Sequence, residues 1–105
     1  MKPEGFEISA FEKLANSKLV RKIYPMIDEI TVTLVEPTGS FYLLIKIYLN
    51  TSEISEENMY EKGFDPHYLV DFHLSKLFRY LGLNWKTTPV KFIVYDSEGY
   101  EITSG

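Results

Sequence analysis

The chain has 105 residues, of which 45% are hydrophobic and 15% aromatic, enough for one globular domain closed around a single core. It contains no cysteine, which excludes disulfides, thiolate metal sites and cysteine nucleophiles. The net charge of −4 is local, because residues 51–66 hold Glu53, Glu56, Glu57, Glu61 and Asp65 against Lys62 alone; the rest is balanced and lacks the basic excess usual in phosphate-binding proteins.

The first predicted element is a helix. Ser9-Ala10-Phe11-Glu12 has the Ser-x-x-Glu spacing of a capping box. Ile8, Phe11, Ala15, Leu19 and Ile23 recur at helical intervals as one apolar stripe. Pro25 ends the helix through its restriction on Tyr24, and Asn16-Ser17 is a point where it can bend or restart. Period-two alternation follows. Ile30, Val32 and Leu34 alternate with Thr31, Thr33 and Val35, then Pro37-Thr38-Gly39-Ser40 reads as a turn. Residues 41–49 place Phe41, Leu43, Ile45, Ile47 and Leu49 on one face, so the two runs form an antiparallel hairpin.

The acidic segment reads as a short helix over 53–62, capped by Ser52 and stopped by Gly63. Asp65-Pro66 starts a longer helix that runs to about residue 81, with Gly82 as its stop. A last strand spans 90–95. The order is α-β-β-(α)-α-β. It defines one α+β domain over 1–105, a two-layer sandwich with a small mixed sheet and helices on one face. Its expected core holds Leu43, Ile45, Ile47, Val70, Leu74, Leu77, Phe92 and Val94.

The sequence lacks the short motifs of nucleotide cradles, zincins and nucleophile elbows. His67 and Asp71 lie four apart on the second helix with Asp65 nearby, a set that could hold a divalent metal or orient a base. Capping and the helix dipole account for the same residues, so no catalytic residue, metal site or cofactor is expected, and the protein is read as a non-enzyme. His73, beside Val70, Leu74 and Leu77, is expected to be semi-buried with a hydrogen-bond partner.

Three surfaces stand out instead. On the second helix, 100° per residue puts Leu69, Val70, Leu74, Leu77, Phe78 and Leu81 inward, and Tyr68, Phe72, Ser75 and Arg79 on the other side. Exposed Tyr68, Phe72 and Arg79 are residue types enriched in binding hot spots, unless the acidic segment or the C-terminal tail covers them. The sheet face away from the helices carries Tyr42, Lys46, Tyr48, Lys91 and Tyr95, with Val35, Leu44 and Ile93 adding apolar area. Such a face suits a protein partner or a second copy, and its Tyr–Lys interleaving also suits stacked bases. The third surface is the acidic segment, Glu53, Glu56, Glu57, Glu61 and Asp65. The apolar run at 41–49 is interrupted by Lys46 and is too short to span a bilayer, and residues 1–5 lack a signal-peptide core. The expectation is a cytoplasmic protein without membrane attachment.

The stretches Ile30-Thr31-Val32-Thr33-Leu34-Val35, 41–49 and 89–95 running into Asp96-Ser97, together with the helix order, resemble the KH-like domain of ribosome-binding factor A. The resemblance covers most of the chain as topology and strand pattern. At the helix junction, Glu61-Lys62-Gly63-Phe64-Asp65-Pro66 carries neither GxxG nor the Ala-x-Gly kink of that family, and its acids would repel phosphate. The resemblance therefore implies the fold more than RNA binding. The expected function is a small binding or adaptor module acting by protein–protein contact, with an RNA- or ribosome-associated KH-like domain as the alternative.

Overall fold

In the computed structural model, which describes residues 2–105, two helices precede the sheet, α1 (Gly5–Ala15) and α2 (Lys18–Ile23). Helix α1 starts before the expected Ser9 box, because Glu7 closes an earlier first turn by accepting the Glu4 N–H at 2.8 Å. The weak point at Asn16-Ser17 is a full break. Phe11 and Ala15 are buried on α1, but α2 restarts in a new phase and turns Val20 inward. The expected continuous stripe therefore fails at its end, where Leu19 is 73% exposed and Ile23 53%.

Four strands form one mixed sheet in the order β1 (Ile27–Val35), β2 (Tyr42–Leu49), β3 (Val90–Tyr95), β4 (Glu101–Ser104). Strands β1 and β2 are the expected antiparallel hairpin, with Val35 opposite Tyr42 and Val32 opposite Ile45. Strand β3 pairs parallel to β2, placing Phe92 beside Ile45 and Val94 beside Ile47. A parallel pair needs a long crossover, and residues 50–89 supply it with the helices on one face. Strand β4 was not expected from the sequence. The carboxylate of Asp96 accepts the N–H groups of Glu98 and Tyr100 at 2.9 and 3.0 Å and folds the chain back on β3.

The acidic segment is a series of turns, not the helix expected over 53–62. The Asn58 side chain accepts the Ser55 N–H at 2.8 Å and donates to the Glu53 carbonyl at 2.9 Å, which offers that backbone an alternative to helical bonds. Ile54, Met59 and Phe64 anchor the segment in the core, and Gly63 takes the left-handed φ of 80° that ends the turn.

The following helix begins as expected at α3 (Pro66–Tyr68), where Asp65 Oδ1 accepts the Tyr68 N–H at 3.2 Å. It then widens into a π turn, Leu69–Leu74, before α4 (Ser75–Tyr80) and its closing Gly82 at φ 79°. The wide turn alters the phase assumed for a uniform α-helix. Ser75, expected outside with Tyr68 and Phe72, is fully buried, and its hydroxyl donates to the Asp71 carbonyl at 2.6 Å. Leu69, Val70, Leu74 and Phe78 reach the core, while Leu77 and Leu81 are only partly buried. The core side of the sheet contributes Ile30, Val32, Leu43, Ile45, Ile47, Phe92 and Val94. Among the described residues no helix is long and apolar enough to cross a membrane.

Candidate functional site

Alternation along β2 separates its two faces strictly. Leu43, Ile45, Ile47 and Leu49 are buried under the helices, and Tyr42, Leu44, Lys46 and Tyr48 are half-buried on the other side. The register assembles the second face into rows. Leu44 lies beside Thr33 and Lys91, and Lys46 lies beside Thr31 and Ile93. Tyr48 lies beside Glu29 and Tyr95, and Tyr95 beside Glu101. Two contacts order the rings. Tyr48 and Tyr95 stack with centroids 5.1 Å apart and planes at 15°, and Lys91 Nζ stands 4.5 Å from the Tyr42 ring centre. Tyr42, Lys46, Tyr48, Lys91 and Tyr95 therefore share one surface, on which Lys91 is exposed and the other four are half-buried.

The helix-face residues divide. Tyr68 and Phe72 stack at 4.6 Å and 14°, with Lys76 Nζ 3.7 Å from the Phe72 centroid. They are 49% and 38% exposed, so neither the acidic segment nor the tail covers them. Arg79 lies farther along, donates toward Ser75 Oγ at 3.4 Å and lines a depression beside Gly82 and Trp85. Glu53, Glu56, Glu57 and Glu61 are exposed, whereas Asp65 is half-buried and engaged as a helix cap.

A groove of about 340 Å³ opens where the end of α2, the 60–65 turn and the π turn meet. Its walls include Ile23, Tyr24, Tyr60, Asp65, Tyr68 and His73. His73 is edge-on to the rings of Tyr24, Tyr68 and Phe72 at 5.4, 5.2 and 5.0 Å, so its surroundings are aromatic where a hydrogen-bond partner was expected. Burial and then the nearby Lys76 charge lower its pKa, which favours the neutral imidazole. Burial, followed by the charge of Asp65 and by Tyr68, raises the Tyr24 hydroxyl from 10.0 to about 12. Between these values the unfolded chain loses the Tyr24 proton while the folded chain keeps it. Folding stability is expected to fall as pH rises from 10 toward 12, and less so in Tyr24→Phe, measured by urea unfolding at stepped pH.

The groove was only partly legible. Asp65, Tyr68 and His73 were singled out, but Tyr24 and Tyr60 were not; Pro25 next to Tyr24 and Gly63 three residues beyond Tyr60 were the local signs of the two chain bends that meet there. His67 stands edge-on to Phe92 at 5.1 Å. Among the described residues no group of three His, Asp or Glu side chains could hold a metal.

Compared with known proteins, the chain matches no family model, no curated protein and no solved structure.

Proposed function

We propose that this chain is a small non-enzymatic binding module acting through protein–protein contact, and that its open sheet face pairs with the same face of a second copy. The observation that carries this reading is the half-buried set Tyr42, Leu44, Tyr48, Ile93 and Tyr95, gathered on one side of the sheet while the helices occupy the other. Apolar and aromatic area of this kind gains most when a second surface removes it from water. Its charges favour a copy of itself. Lys46 and Lys91 stand inside the face and Glu29 and Glu101 flank the Tyr48–Tyr95 row, so a two-fold axis can bring the lysines of one copy to the acids of the other.

Sedimentation across protein concentration tests the reading. Self-association weakened at least tenfold by Leu44→Lys is expected, since a buried charge at the centre of an apolar contact is strongly unfavourable. A protein that stays monomeric at high concentration overturns the pairing. Salt-sensitive RNA binding lost in a Lys46→Glu, Lys91→Glu double variant would transfer the face to nucleic acid, because each phosphate contact adds to the salt slope.

A further inference from the structure

We infer that the groove between Tyr24, Tyr60 and Tyr68 is a second binding site, which takes a lysine or arginine side chain from a basic segment of a partner protein. The site lies apart from the sheet face and does not depend on pairing there.

Three observations converge on a cationic occupant. The walls are ring surfaces, with Tyr60 63% and Tyr68 49% exposed, and aromatic faces attract ammonium and guanidinium groups through their quadrupole. The chain already uses this device next door, where Lys76 sits 3.7 Å from the centre of Phe72. Charge agrees. Asp65 lies in the groove wall and Glu61 precedes it in the same turn, while the ion pair found among the described residues is Lys2 with Glu36, at the other end of the hairpin. No ion pair found among the described residues engages Glu61 or Asp65, and the lysines on the elements that build the groove are Lys22 beside Ile23, Lys62 in the acidic turn and Lys76 after His73. Third, Tyr24 lines the groove, and no buried polar side-chain atom of the described residues is left without a partner, so a Tyr24 hydroxyl that enters none of the side-chain hydrogen bonds is reachable from outside as an acceptor for a cation's N–H. The exposed Ile23 side chain supplies an apolar strip for the aliphatic stem of the incoming residue.

The probe is n-butylammonium, a lysine side chain without its backbone, titrated at low ionic strength into isotopically labelled protein and followed by chemical shifts. Saturable shifts confined to Tyr24, Tyr60, Asp65, Tyr68 and His73 are expected, with n-butanol giving none. Tyr68→Ala should weaken binding about three- to fivefold, the loss of one exposed cation–π contact. Asp65→Asn, which keeps an excellent helix cap, should weaken it similarly without unfolding the protein. Equal shifts with n-butanol, shifts elsewhere on the surface, or undiminished binding by both folded variants would overturn the inference. Shifts at the sheet face would speak to that surface alone, so the two readings fail separately.

Discussion

Replacing Phe78 with alanine is expected to lower folding stability by about 3–5 kcal/mol, the range for a large aromatic removed from a packed core. Phe78 is 1% exposed and joins three elements. Its ring meets the edge of Phe11 from α1 at 5.1 Å and 82°, and Trp85 from the turn after α4 at 5.5 Å and 74°. Such edge-to-face pairs contribute beyond their buried area, by about 0.5–1.5 kcal/mol. Truncation would open a cavity between rigid neighbours that cannot collapse into it. Leu77 is the control, one residue earlier on the same helix and only partly buried. Leu77→Ala should cost clearly less in the same denaturant titration. If the two costs were equal, or Phe78→Ala fell below about 1 kcal/mol, the inward phase of α4 would be wrong.

That phase shows where sequence reasoning reached its limit. The strands were legible because period-two alternation needs no context: 90–95 was read at its observed bounds, and the two faces of β2 were assigned residue by residue. The turn at Gly39 and the helix stop at Gly82 were placed too, whereas Gly63, expected to stop a helix that does not form, ends a series of turns; all three glycines take positive φ. What escaped depends on tertiary partners. A π turn has no residue signature, yet it moved Ser75 from solvent to the core and left Leu77 at the margin. The acidic segment has the composition of a helix, but burial of Ile54, Met59 and Phe64 imposes a spacing that helical turns do not meet. Strand β4 is too short to show alternation and exists because β3 offers it a free edge. The candidate surfaces divide in the same way. The sheet face followed from period two, whereas the groove needed the positions of Tyr24, at the end of α2, and Tyr60, in the turns before Gly63, which no helix period relates to Tyr68.

The break at Asn16 was visible as a weakness in the first helix, but its structural role was not. Its amide occupies the outer edge of β1, donating to the Ile30 carbonyl at 2.8 Å and accepting the Ile30 N–H at 2.9 Å, as a neighbouring strand would. The same Nδ2 donates to the Glu12 carbonyl at 2.8 Å, and Glu12 Oε2 accepts the Val32 N–H at 2.8 Å. Helix α1 therefore completes the edge of the sheet with side chains, and it must stop at Asn16 for that amide to reach. Ile30 is fully buried, so Asn16→Ala leaves a donor and an acceptor without partners in the protein interior. At about 1–3 kcal/mol for each of the two orphaned groups, a total loss of about 2–6 kcal/mol is expected in urea unfolding. Asn16→Asp should recover only part of this, because a carboxylate still accepts from the Ile30 N–H but sets its charge against two carbonyls. Amide exchange locates the effect: the Ile30 N–H should lose protection in Asn16→Ala while the Val32 N–H, held by Glu12, loses less. Equal loss at both amides would mean that the whole helix had lifted from β1. An unprotected edge also invites pairing with another chain, so the variant should associate through β1 at concentrations where Leu44→Lys no longer associates through the sheet face.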